Sequence, residues 1–379
     1  MRPGGHGLVW QTAEAVTVGF YAPLPPARTG VADYAAALLE ALRQVGPVEV
    51  APEHCDAALY HLGNNPLHAD IYQRALDHPG VVVLHDAVLH HFLLGQLAEH
   101  PYIEEFVYNY GAWHRELAAE LWKNRAAAGS DSRYFDFPLL KRVAERSRAV
   151  VVHNPAAARI VAAHAPRTPV VEIPHLFQPP VLSPAEVAQF RQQLDWPPDT
   201  FAFGVFGYLR ESKRLIPVLH AFAALHRDNP HTALLVAGEF VSADLERAVE
   251  PWLTGPGVVR LPHLPERDFW RAAAAVDACI NLRHPAAGET SGIAIRLMGL
   301  GKPVLVTASE ENARFPEDAC IRIPAGVAES DSLLQHLVLL PSKPELARAV
   351  GARAAGHIRA QHSLERAARS YWDTLCEYH

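Results

Sequence analysis

Three groups of residues have types and spacing that could do chemistry. The first is Glu289-Thr290-Ser291-Gly292 with Arg296, inside the stretch RHPAAGETSGIAIRLMGLGKPVLVT from Arg283 to Thr307. A strand end, a glycine-bounded loop with an acid and two hydroxyls, a short apolar helix and a second strand follow one another there. Such a unit aims the unpaired N–H groups of a helix start at the carboxyl edge of a parallel sheet, where anions bind. Thr290 or Ser291 can cap the helix, and Gly292 lets a ligand approach the backbone. Seven residues separate Glu289 from Arg296, nearly two helical turns, which predicts both on one face roughly 10 Å apart. The plainer reading, a capping hydroxyl and a surface arginine, stands beside it.

The second group is His85-Asp86, closing the buried run VVVLHD, and the third is Lys213 with Arg210 and Arg214, just past the glycine-bounded strand end at Gly207. A histidine at a strand's carboxyl end faces the ligand edge of an α/β sheet, although a lone histidine is more often structural. For Lys213 the alternative is a solvated surface lysine.

The elements that position these residues alternate along the chain. Val16–Tyr21, Val48–Ala51, Ala57–Leu62, Val81–Asp86, Ala149–Asn154 and Val170–His175 read as strands, the last three each ending in a histidine or following one pattern of hydrophobic run then histidine. Helical spacing fills Val31–Val45, a start at Ile71, and a long region from Leu89 to about Ala128. Six prolines from Pro174 to Pro198 then mark a boundary around a short helix at Pro184–Leu194. The alternation restarts with strands at FAFGVFGY, TALLVAGE, VVRLPHL and DACINL, with helices between them, and the tail from Pro344 reads as two helices. The expected architecture is α/β, two doubly wound domains with a ligand cleft between them.

Composition narrows the function classes. The chain has 379 residues, 49% hydrophobic and 20% charged, enough for two ordinary cores. A net charge of −7 carries no basic excess, so a nucleic-acid partner is not expected. The 22 histidines are scattered without a metal-binding spacing, and the four cysteines are far apart, which suits reduced thiols in a cytoplasmic protein. No run approaches a membrane span; an amphipathic face would still allow peripheral contact at the inner side of a membrane.

The second half resembles the nucleotide-sugar-binding domain of retaining glycosyltransferases of family four, which have the GT-B architecture of two facing Rossmann-like domains and a deep cleft. The resemblance rests on Gly207-Tyr208-Leu209 with Lys213, Ala237-Gly238-Glu239, Leu261-Pro262-His263-Leu264 and Gly288 to Val304. More loosely, PPARTGVADYAAAL resembles the family's first loop and VVVLHD its strand ending in a sugar-facing histidine. The resemblance implies domains at 1–177 and 178–355 and a final helix, 356–379, packed back on the first.

It also implies a metal-independent, hexosyltransferase-type enzyme that moves a sugar, with retention, from a nucleoside-diphosphate sugar to a hydroxyl on a saccharide or lipid-linked acceptor, in polysaccharide or glycolipid synthesis. No cofactor is expected. Without a metal, the leaving diphosphate must be met by fixed donors and cations. Lys213, with Arg210 or Arg214 and the helix start at Thr290–Gly292, suits that task; Gly30, Gly207, Gly238, His263, Leu264 and Arg296 complete the expected donor side. Glu289 would accept from sugar hydroxyls, and His85 with Asp86 would face the sugar. Arg28, Asn64 and Asn65 are candidates for the acceptor side, with turn residues the equal alternative for the asparagines. Two positions depart from the family, Tyr208 where an arginine is usual and Arg296 where a second glutamate holds ribose. A GT-B epimerase and a non-catalytic nucleotide-sugar-binding module are the alternatives.

Overall fold

The computed structural model describes residues 16–27 and 29–379, so Arg28 lies outside the described residues. The first six strands are β1 (Val18–Tyr21), β2 (Val48–Val50), β3 (Ala57–Leu62), β4 (Val81–Leu84), β5 (Ala149–Val152) and β6 (Val170–Glu172). They form one parallel sheet in the order β2-β1-β3-β4-β5-β6. The next six are β7 (Phe201–Phe206), β8 (Thr232–Ala237), β9 (Val258–Leu261), β10 (Ala278–Asn281), β11 (Val304–Thr307) and β12 (Ile321–Ile323), in a second parallel sheet of order β12-β11-β10-β7-β8-β9. Both are doubly wound α/β sheets. Their near-continuous apolar strands, such as fully buried VVVL and TALLVA, are what a sheet covered on both faces requires.

In each sheet the strand order reverses once, between β1 and β3 in the first and between β7 and β10 in the second. Chain leaving adjacent strands at such a point departs to opposite faces and opens a crevice at the carboxyl ends. The loops after β1, β3, β7 and β10 therefore hold the positions where a ligand can sit.

The connections differ from the sequence expectation in three places. The region predicted as one long helix from Leu89 is broken into His90–Gln96, Glu99–Tyr110 and Arg115–Lys123, because Gly111 takes a φ of +89° that ends the second of these. β12 and the helix Glu329–Ser342 were not anticipated: IRI is too short to show alternation, and the helix contains Pro341. The helix Pro184–Gln193 starts on a capping box, with Ser183 and Glu186 each bonding the other's backbone N–H.

Helix Pro344–Gln361 packs on helix Gly292–Gly299, and Gly351 allows it to touch the carbonyl of Gly301, where a Cβ would sit 1.9 Å away. After His362 the chain crosses to the first sheet. Phe177 N–H donates to the His362 carbonyl at 2.7 Å, and helix Leu364–Glu377 then places Ala367, Ala368, Tyr371 and Leu375 in the core formed by β1, β3 and helix Gly30–Leu42.

Candidate functional site

The first wall of the cleft is built on histidines. His85 follows β4 directly, and its N–H donates to the Leu62 carbonyl, prolonging the ladder by one residue. His61 lies within β3, while His153 and His175 follow β5 and β6. These four imidazoles surround Tyr34, with ring centroids 4.7–6.1 Å from it, and the Tyr34 hydroxyl meets that of Tyr371 at 2.8 Å. Burial holds all four histidines below their ordinary pKa, His153 at about 4. They are neutral rings.

Their tautomers follow from their partners. Nδ1–H of His153 donates to the Ile173 carbonyl and Nδ1–H of His68 to that of His61, each at 2.9 Å, so the Nε2 atoms carry lone pairs. His61 Nδ1 lies 3.0 Å from His85 Nε2, and the Nε2 atoms of His61, His68 and His153 are buried without hydrogen bonds. A buried orphan acceptor is more tolerable than a buried orphan N–H. This assigns the His61–His85 proton to His61, leaving His85 protonated at Nδ1 as a donor.

Asp86, next to His85, is partly buried and accepts from the backbone N–H of Asn64 at 2.8 Å. Burial and then the charge of Glu289 push its carboxyl up to about 6, against the Asn64 bond and the arginines Arg210 and Arg283. The asparagines have local tasks. Asn64 Oδ1 accepts from Phe92 N–H at 2.7 Å, and Asn65 Oδ1 from Leu67 N–H at 3.0 Å, so both side chains serve as caps rather than projecting toward an acceptor. Gly30 begins the first helix behind its cap Thr29; a Cβ there would meet nothing within 4 Å.

The second wall starts at Gly207, which takes a φ of +90° after β7 and turns the chain over Lys213. Lys213 is buried and donates to the Phe206 carbonyl. Burial, then Arg283 and Arg210, hold its ammonium well below the usual lysine range, and Glu289 opposes them. Gly238 serves packing: a Cβ there would lie 1.9 Å from the Gly207 carbonyl oxygen, so it permits the ends of β7 and β8 to touch. The Tyr208 and His263 rings face each other at 6.2 Å and 25°. Arg214 does not join this group. Its guanidinium pairs with Glu329, on the helix Glu329–Ser342, at 2.8 Å. Leu264 packs against the second core.

The loop after β10 closes the site. Arg283 pairs with Glu289 at 3.1 Å, and the other Glu289 oxygen accepts from Ala287 N–H at 2.6 Å. Ser291 rather than Thr290 caps helix Gly292–Gly299 and is itself held by Asn281 at 2.8 Å. Because Glu289 precedes that cap, the shared helical face expected for Glu289 and Arg296 does not exist. The loop touches the first domain directly: Asn154 Nδ2 donates to the Gly288 carbonyl and to Thr290 Oγ1, and Val88 N–H to the Ala287 carbonyl. Gly288, with a φ of +69°, lies against Ala87, where a Cβ would come within 2.7 Å. Gly292 similarly faces His175, whose Nε2 would lie 3.1 Å from a Cβ.

Arg296 was expected to bond phosphate or ribose oxygens; in the structure Glu266 takes its guanidinium, which also lies 5.0 and 4.7 Å over the rings of Phe269 and Trp270. Trp270 Nε1–H donates to the same Glu266 carboxylate at 2.7 Å. Arg296 also draws down the proton affinity of Asp33, which burial raises, so this corner too faces the first domain. Arg296→Ala should lose the ion pair and the ring contacts, together about 1–2 kcal/mol, lowering Tm by a few degrees. An unchanged Tm would show these contacts to be idle, and a more than twofold loss of nucleotide affinity by calorimetry would add a ligand role.

Thus Asp86, Arg210, Lys213 and Glu289 lie close enough for their charges to be felt across the cleft, with neutral His85 beside Asp86, and Arg283 joins them without having been singled out. Asn154, which clasps the Glu289 loop, and Asp33 and Glu266, at the Arg296 corner, were not singled out either. The histidines after β5 and β6 carried a signal, the repeated strand-then-histidine pattern. Arg283 carried none beyond its place at a strand end. Among the described residues no three His, Cys, Asp or Glu side chains are grouped as metal ligands. A cavity of about 560 Å³ lined by Tyr21, Cys55, Arg74 and Arg148 lies at the amino edge of the first sheet, on the far side from the strand ends that build this site.

Residues 214–373 match the family described as Glycosyl transferase-like. No curated protein matches the chain. Among solved structures, it superposes on sucrose-phosphate synthase from Thermosynechococcus elongatus with a TM-score of 0.67 at 15% identity, over 96% of this chain and 98% of that one. HepE from Anabaena, solved with UDP and glucose, gives 0.63 at 14% identity over 96% and 100%. WaaG, a glycosyltransferase involved in lipopolysaccharide biosynthesis, gives 0.59 at 14% identity over 94% and 99%. The fold is GT-B, two Rossmann-like domains with their strand ends facing one cleft.

Proposed function

We propose that this protein is a glycosyltransferase that moves a sugar from a nucleoside-diphosphate sugar to a hydroxyl acceptor, with retention and without a metal ion. The observation that carries the reading is the convergence of Lys213, Arg210 and Arg283 on Glu289 beside a capped helix start, opposite His85 and Asp86. Cations and helix N–H groups suit a leaving diphosphate, Glu289 suits sugar hydroxyls, and the His85 N–H supplies a donor from the opposite wall. The match to a glycosyl transferase-like family over residues 214–373 supports the class, and the UDP complex of HepE makes a UDP-sugar the first donor to try. Retention, a hexosyl donor, and a saccharide or lipid-linked acceptor in polysaccharide or glycolipid synthesis follow the family resemblance. No described helix is long and apolar enough to cross a membrane.

The test is a panel of nucleoside-diphosphate sugars with and without saccharide acceptors, reading nucleoside diphosphate release and product anomer by NMR. Acceptor-dependent release with the donor's anomeric configuration is expected. Turnover of donor alone to an epimer would replace this reading with epimerase chemistry, and binding without turnover would leave a binding module. Activity should persist in EDTA, because side-chain cations and the helix start do the ion's work. Loss on chelation, restored by Mg²⁺ or Mn²⁺, would refute the metal-free mechanism.

A further inference from the structure

We propose that the Arg283–Glu289 ion pair is an exchange contact: an entering diphosphate draws the Arg283 guanidinium off Glu289, and the carboxylate so released receives the hydroxyls of the sugar. This rests on the function proposed above and adds to it a phosphate ligand and an order of events.

The backbone at Arg283 is pinned. Its N–H donates to Thr307 Oγ1 at 2.9 Å and the next residue, His284, donates to the Ser212 carbonyl at 2.8 Å, so the residue, in the loop after β10, is held between the end of β11 and the loop after β7, at the point where the second sheet reverses its order. Only the side chain is free to redirect. Its guanidinium has five N–H donors, yet its ion pair is a single contact with Glu289, and Nε is buried with no hydrogen-bond partner. A fork so underused suits a bidentate phosphate.

Charge balance points the same way. Arg283 is the foremost cation acting on Lys213, ahead of Arg210, so three basic groups crowd one another beside Glu289 and Asp86. An arriving dianion relieves that crowding, and it does so best where it draws Arg283 away from Glu289. The second Glu289 oxygen is held by Ala287 N–H, so the carboxylate keeps its aim when the arginine leaves. A permanent loop clip would need none of this: it would use the guanidinium fully and leave no buried donor unpaired.

The two readings predict opposite signs. Calorimetry with UDP, the other nucleoside diphosphates, and uridine as the phosphate-free control would compare wild type, Arg283→Met, Glu289→Gln and the double variant. With exchange, Arg283→Met weakens nucleoside diphosphate binding at least tenfold and leaves uridine within twofold. Glu289→Gln, nearly isosteric, tightens the diphosphate severalfold by removing the competitor for Arg283, while transfer from the nucleotide sugar falls. In the Arg283→Met background Glu289→Gln gives no tightening. Weaker diphosphate binding by Glu289→Gln, or tightening that persists in the double variant, would overturn the exchange, the latter by showing simple repulsion between carboxylate and phosphate. Diphosphate binding within twofold of wild type in Arg283→Met also overturns it while the proposed function stands. If wild type binds no nucleoside diphosphate, the proposed function itself falls.

Discussion

Replacing Lys213 with methionine should lower kcat/KM for the sugar donor by about 2–4 kcal/mol, roughly 30- to 1,000-fold, as the loss of one electrostatic donor to a developing anion does. Methionine is chosen because the residue is 5% exposed, so a shorter side chain would add a cavity to the electrostatic loss. The fold should survive, since the ammonium's partner is one carbonyl at a strand end. A second readout separates charge from packing. Lys213 is held well below the ordinary lysine range, by burial first and by Arg283 and Arg210 next. A diphosphate favours the protonated form, so binding takes up a proton wherever the free lysine is neutral, and affinity declines as pH rises through that range. Calorimetry in buffers of different ionisation enthalpy should find this uptake in wild type and not in Lys213→Met. Equal kcat/KM in the two proteins would remove Lys213 from the mechanism.

Acid should destabilise the protein through its buried histidines, beginning below about pH 6.5. Burial lowers His68, His153 and His362 from 6.5 to about 4 and His90 to about 3, with His61, His85 and His175 depressed as well. A histidine kept neutral in the fold binds fewer protons there than in the unfolded chain. Its contribution is intact above about pH 6.5 and is lost as pH falls toward about 4, amounting to about 3 kcal/mol for each group that moves from 6.5 to about 4. Asp86, raised to about 6, acts in the opposite direction and offsets about one such group. Arg296 and the His357–His362 pair face the same cluster and hold it neutral. Against a total stability of about 5–15 kcal/mol, three or more such groups are decisive. Tm should fall by about ten degrees or more between pH 7 and 5, and His153→Gln, which retains a donor for the Ile173 carbonyl, should flatten the slope. A Tm constant within about two degrees over that range would refute the neutral cluster.

How much of this was legible depended on range. The strands other than β12 were readable because each is a short apolar run with a polar or glycine end, and β11 coincides with the run VLVT. The placement of Glu289, Lys213 and His85 just beyond strand ends was readable because position relative to a strand end is local information. Partners were not. Nothing near Arg214 in the chain signals that Glu329 will claim it, and nothing near Arg296 distinguishes a ligand-facing guanidinium from one laid on Phe269 and Trp270. Asn154, read only as the end of a strand, caps the helix Pro155–His164, and its amide also clasps the loop carrying Glu289, 134–136 residues away. Long-range pairing decides which predicted side chains remain available for a ligand.

The return of helix Leu364–Glu377 to the first sheet sets an order on biosynthesis. Tyr34 and Tyr371 bond across 337 residues, and Ala367, Ala368 and Leu375 complete a core whose other members, Phe20, Leu38 and Leu59 among them, leave the ribosome first. While the whole second sheet is being translated, that apolar face of the first is without its cover. Nascent chain in this condition is a client for chaperones, and contacts of such sequence separation close slowly. The second domain, whose core needs little from before Phe177, is free to fold in the meantime. The half made first is thus the half finished last.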